Sequence, residues 1–144
     1  MTLLRIVAAC ALGFLAACAT LAPPERPEAP AVASENDAVI ALARNARDDM
    51  SAGRLSTAAA NLERALRIEP RNPTLWHELA RVNLHQGQAG QAAQFAGKSN
   101  SFAGDNAQLR AANWRLIGQA LTQTGDQAGA EAAFAKAAQL DAQR

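Results

Sequence analysis

At 144 residues, with 14 lysines and arginines against 13 aspartates and glutamates, the chain carries a formal charge of +1 and has no basic excess with which to neutralise nucleic-acid phosphates. Its hydrophobic fraction is 49% but its aromatic fraction only 4%, so the interior has to be close-packed helices with small side chains, mostly alanine, and strands are not expected. Both cysteines, Cys10 and Cys18, lie near the start, which excludes a disulfide framework or thiolate metal site from the rest, and His77 and His85 stand two helical turns apart rather than the single turn suited to chelation. Neither a metal nor a cofactor is expected.

Met1 to Arg5 supplies one positive charge, and Ile6 to Leu15 is an apolar run far short of the ~20 residues that span a bilayer, so residues 1–17 read as an export signal. The run closes on Leu15-Ala16-Ala17-Cys18, which resembles the lipobox of bacterial lipoproteins. The resemblance implies cleavage before Cys18 and lipidation of Cys18, and Ala19 rather than aspartate after it favours the outer membrane of a Gram-negative host, with the protein facing the periplasm. A plain secretory signal would also satisfy the small-residue rule at this site. From Cys18 to Asn36 the chain has four prolines between positions 23 and 30 and no apolar periodicity, which predicts an extended tether. At ~3.1 Å per residue it reaches on the order of 50 Å.

The rest repeats itself. Gly53, Ala58, Ala65 and Pro70 recur 34 residues later as Gly87, Ala92, Ser99 and Gly104, the last two as substitutions. A third unit reads Trp114, Ile117, Gly118, Leu121, Gly125, Ala130, Phe134 and Ala137. This spacing and residue set resemble the tetratricopeptide repeat, in units of about 39–72, 73–106 and 111–144. The second unit keeps Trp76, Leu79, Ala80, Gly87 and Ala92 but has Asn83 where an aromatic is common; the first lacks the tryptophan and has Asp49 where a large residue is usual, so its first helix is the weakest. The fold class implied is all-α: three antiparallel helix pairs in a right-handed superhelix, spanning residues 37–144. Helices are expected over 37–51, 55–69, 73–86, 89–102, 106–123 and 127–142. Gly53, Gly87 and Gly125 should end helices in a left-handed conformation, Asn72-Pro73 should start the second pair, and Asp105 should cap the third. Between the second and third units the period is 38 rather than 34, which predicts one extra turn in the fifth helix.

No nucleophile elbow, phosphate-cradling loop or Cys/His pair is present, so no catalytic residues are expected and an enzyme is not the reading. Glu63 and Glu78 read as solvated helix surface. Tetratricopeptide arrays line a concave groove with the first helix of each pair, and the resemblance implies a groove of Ile40, Ala43, Arg47 and Met50, then His77, Arg81, Leu84 and His85, then Arg115, Gln119 and Gln123. Arg47, Arg81 and Arg115 recur at the repeat spacing and suit a carboxylate-bearing segment, although amphipathic helices also carry arginines simply as their wet face. In the last helix Phe134, Ala137 and Leu140 are expected in the core and Ala128, Ala132, Ala135 and Ala138 outward, an edge able to take a partner or a second copy. The layout of signal, tether and repeats resembles short tetratricopeptide outer-membrane lipoproteins that stimulate a class A penicillin-binding protein. A pilotin-like lipoprotein that assists a secretin or pilus subunit is the alternative, and either makes the chain a membrane-tethered adaptor for a protein partner.

Overall fold

A computed structural model describes residues 32–143. Among them are six α-helices and no strand: α1 (Asp37–Ser51), α2 (Leu55–Ile68), α3 (Pro73–His85), α4 (Ala89–Phe102), α5 (Ala107–Thr124) and α6 (Gln127–Ala142). Each boundary lies within one residue of the range read from the sequence, including α1, the helix with the weakest pattern. None of the six is long and apolar enough to cross a membrane.

The first helix of every pair begins on an asparagine. Asn36 Oδ1 accepts from the Ala38 and Val39 N–H groups, Asn72 Oδ1 from Thr74 and Leu75, and Asn106 Oδ1 from Leu109, each satisfying donors that have no partner within the helix. The third cap is therefore Asn106 and not Asp105. The helix opens at Ala107, and the side chain that accepts from its first turn is that of Asn106, at 3.0 Å from the Leu109 N–H. The helices end where expected, at Gly53, Gly87 and Gly125, with φ of 74°, 76° and 84°, a region that costs other residues energy. The extra turn lies inside α5, which has 18 residues against 13 in α3. It falls before the tryptophan, since Trp114 stands eight residues after its cap and Trp76 four after its own.

Each helix packs on the next, and α3 also touches α5, so the first helices of successive pairs lie side by side. The largest core cluster joins the first two pairs through Val39, Ala43, Ala46, Ala58, Leu62, Ala65, Leu75, Leu79 and Val82. Small residues set the approach of the helices. A Cβ on Gly118 would lie 2.6 Å from the Phe134 ring, so α5 and α6 close only because that position is bare. Phe134 itself was expected inside, yet it is 41% exposed: its ring covers Gly118 at the edge of the stack while Ala130, Ala133, Ala137 and Leu140 fill the interior. Ala128, Ala132, Ala135 and Ala138 face outward, as their spacing predicts.

Three departures from the repeat pattern have polar explanations. Asp49, buried where a large residue is usual, accepts from Arg54 Nε at 2.8 Å and Asn61 Nδ2 at 3.0 Å and so ties α1 to its turn and to α2. Asn83 donates to the Leu79 carbonyl one turn back. Ser99, the counterpart of Ala65, donates to the Pro73 carbonyl and accepts from Asn113 Nδ2, both at 2.7 Å. Asn113 is fully buried, donates also to Asn100 Oδ1 and meets His77 Nδ1 at 2.7 Å, so α3, α4 and α5 are joined by one polar cluster.

The last residues of the expected tether are docked. Val32 packs on the first core cluster, the Ala33 carbonyl accepts from Asn72 Nδ2 at 3.1 Å, and the Ser34 hydroxyl donates to Glu69 Oε1 at 2.6 Å.

Candidate partner-binding groove

Positions three and four apart on a helix share a face, so Arg81, Leu84 and His85 form one stripe of α3, and Leu116, Gln119 and Gln123 one stripe of α5. Where these helices lie side by side the two stripes line a concavity of about 350 Å³. The structure thus brings together five of the residues read from the sequence, Arg81, Leu84, His85, Gln119 and Gln123, and adds Leu116. That leucine was legible as the position three before Gln119 on the same stripe. Half-buried Leu84 and buried Leu116 give the cleft an apolar floor, with an arginine, a histidine and two amides around it.

The arginines do not stand as a free ladder. Glu78, expected on the wet surface, is 1% exposed and takes both Arg47 Nε, at 3.4 Å on Oε1, and Arg81 Nη1, at 2.9 Å on Oε2. A buried carboxylate without such partners would be costly, and here two guanidinium groups from α1 and α3 compensate it. Arg115, one turn before Gln119, is paired with Asp141 of α6. Each of these arginines therefore meets a carboxylate of its own chain, and Arg47 and Arg81 share Glu78 beside the cleft.

The α1 part of the expected groove is largely interior. Ala43 is buried, while Ile40 and Met50 are half-buried, Met50 against the first core cluster. His77 is not groove surface at all. It is 4% exposed, and its neighbour is Asn113 of α5. Burial pushes its pKa below the usual histidine value of 6.5; the Asn113 contact and nearby Glu78 act in the opposite direction, and Arg81 adds to the lowering. Among the described residues no group of three or more His, Cys, Asp or Glu is disposed to hold a metal ion. Cys18 and the export signal lie outside the described residues.

Comparison with known proteins agrees with this architecture. One tetratricopeptide-repeat family model matches residues 49–113 and another residues 111–144. Among solved structures, the chain is 43% identical to the globular C-terminal domain of P. aeruginosa LpoP, with a TM-score of 0.70, covering 72% of this chain and 98% of that one. The N-terminal domain of stress-induced protein-1 (STI-1) from C. elegans has a TM-score of 0.67 at 20% identity, covering 72% of this chain and 84% of that one, a likeness of fold. No curated protein sequence matches. Matched by two repeat models and by a relative it covers almost end to end, the chain belongs to the tetratricopeptide-repeat family, whose helix pairs are a scaffold for protein interaction.

Proposed function

We propose that this protein is a lipid-anchored periplasmic adaptor of the outer membrane, acylated on Cys18, whose α3–α5 cleft holds a carboxylate-bearing segment of a peptidoglycan synthase of the class A penicillin-binding type and raises its activity. The observation that carries the partner class is the 43% identity to the LpoP domain over 98% of its length. It agrees with the layout of export signal, lipobox-like Leu15-Ala16-Ala17-Cys18, proline-rich tether and three repeats, which resembles that of short lipoproteins acting on such synthases.

The chemistry of the cleft fits a short acidic segment with one aliphatic side chain. Leu84 and Leu116 offer the apolar contact, Gln119 and Gln123 hydrogen-bond a backbone, and Arg81 has donors beyond the one that Glu78 Oε2 receives. Anchoring then confines the groove to a thin layer beside a membrane-embedded partner, which strengthens a weak contact through effective concentration. No residue is required to perform chemistry in this reading; the gain in synthase rate comes from the synthase state that the adaptor favours.

The test is direct. A soluble form starting at Ala19 should raise glycan polymerisation by a purified class A synthase, and Q119E with Q123E, two exposed positions of the cleft, should abolish the effect while leaving the helical circular-dichroism spectrum intact. A polymerisation rate indifferent to the protein, with folding confirmed, defeats the proposal. Replacement of Cys18 by serine should release the full chain from membranes, and continued membrane attachment of C18S removes the acyl anchor from it.

A further inference from the structure

The chain enters the helical domain at the α2–α3 turn. Val32, Ala33 and Ser34, the first described residues, are held there by the first core cluster, Asn72 and Glu69, beside Pro70 and Arg71. From this turn Arg71 extends over the Phe102 ring, its guanidinium carbon 5.6 Å from the centroid, and Lys98 Nζ stands 4.9 Å from the same centroid. One aromatic ring thus holds two exposed cations together at the mutual expense of their repulsion, and neither is ion-paired with another described residue. The neighbouring acid, Glu69, has its two carboxylate oxygens occupied by Ser34 and Asn72. Beside the turn Ile68, the last residue of α2, is 44% exposed, an uncommon position for a large apolar side chain in this domain.

We infer that this corner, formed by Ile68, Arg71, Lys98 and Phe102, seats the domain on an anionic phospholipid surface, with the two cations taking lipid phosphates. The argument for a membrane, rather than another anion, is the position of the corner: it adjoins Val32, the first described residue, which only 13 residues separate from Cys18. The inference rests on the reading that Cys18 is acylated. Residues 19–31 number 13, so even fully extended, at ~3.3–3.6 Å per residue, they span less than ~50 Å. The corner is therefore always within reach of the surface, and a weak electrostatic contact is populated because it is intramolecular in effect. Each basic side chain near an anionic bilayer favours contact roughly fivefold, so the pair favours the seated orientation on the order of 30-fold. Seating fixes which way the α3–α5 cleft faces relative to the lipid.

The test uses the acylated full chain carrying W114F, which leaves Trp76 as the one tryptophan. Its indole N–H donates to the Pro70 carbonyl at 2.8 Å, so its fluorescence reports on this turn. In vesicles of phosphatidylcholine with one-third phosphatidylglycerol, bromine-labelled lipids should quench Trp76 far more than in pure phosphatidylcholine. High salt should remove the difference, and R71Q/K98Q should lower the ratio of seated to unseated protein on the order of 30-fold. Equal quenching in the two lipids, or quenching unchanged in R71Q/K98Q, overturns the inference. So does loss of synthase stimulation by R71Q/K98Q in detergent with quenching unaffected, which assigns the corner to a protein partner. Failure to sediment with pure phosphatidylcholine vesicles defeats the acylation reading alone. The corner is then judged by whether phosphatidylglycerol vesicles bring down the chain and fail to bring down R71Q/K98Q.

Discussion

Substitution of Asn113 by alanine tests whether a polar cluster, and not apolar packing alone, holds the second and third repeats together. The side chain is fully buried and has three partners: His77 Nδ1 at 2.7 Å, Ser99 Oγ at 2.7 Å and Asn100 Oδ1 at 2.9 Å. Three hydrogen bonds at about 1 kcal/mol each give ~3 kcal/mol, and stranding His77 in the interior with a small void adds ~1 kcal/mol. Alanine offsets ~0.5 kcal/mol through its better helix propensity, so the expected net loss is ~3.5 kcal/mol. Against the roughly 5–15 kcal/mol that stabilises a small domain, that is a large fraction, and it corresponds to a fall in Tm of about 10–20 °C. Urea unfolding followed by circular dichroism measures it, with N100A, which removes one half-buried bond, expected to cost only ~1 kcal/mol. A loss below about 1 kcal/mol for N113A would show that water or repacking replaces the three bonds, and the reading of this joint would be wrong.

The same joint makes stability depend on pH. His77 is held below 6.5 by burial and regains that value on unfolding, so below pH 6.5 the unfolded chain binds the proton first. Stability should then fall as pH drops from 6.5 toward the folded pKa and be flat above it; urea midpoints at pH 7.5 and 5.5 should separate more for the native chain than for H77Q, and equal separation excludes the mechanism. G118A adds a Cβ 2.6 Å from the Phe134 ring, which costs ~1–3 kcal/mol less the ~1 kcal/mol that alanine adds in a helix. In an F134A background the clash is gone, so the same substitution should there stabilise by ~1 kcal/mol, and a cost in both backgrounds would refute the close approach. E78Q keeps the shape of Glu78 but not its charge and should cost ~1–2 kcal/mol. Because it also loosens Arg81, it should tighten binding of an acidic peptide in the cleft, measurable by fluorescence anisotropy, and weaker binding would count against Arg81 as the contact.

What the sequence made legible is what the chain determines locally. A helix end needs glycine or a capping asparagine at one position, and a close crossing needs a small residue at another, so Gly53, Gly87, Gly125, Asn72 and Gly118 announced the six helices and the extra turn of α5 before any packing was known. Burial of a polar side chain is decided elsewhere. Glu78 and Arg81 look like an ordinary exposed pair three residues apart, and only Arg47, 31 residues upstream, shows that the carboxylate is interior. His77 meets Asn113, 36 residues downstream on α5, so no local pattern around position 77 carries the information. Ser99 was the one visible sign, a hydroxyl where the preceding repeat has Ala65.

The arginines at 47, 81 and 115 show why periodicity alone does not reveal a ligand. Arg47 and Arg81 stand one 34-residue period apart, but the third unit is offset by 38, so the counterpart of Arg81 there is Gln119 and Arg115 answers to His77; groove lining and the packing of one unit on the next also share the same spacing. Counting the carboxylates separates them. Arg115 is matched by Asp141, and Arg47 shares Glu78 with Arg81, so two guanidinium groups meet one acid at the edge of the α3–α5 cleft. Arg47 and Arg81 converge on Glu78 from α1 and α3, at the end of the cleft whose floor is Leu84 of α3 and Leu116 of α5. A partner held in the α3–α5 cleft, as proposed above, would meet the junction of the second and third repeats, the same junction that Asn113 and His77 tie together.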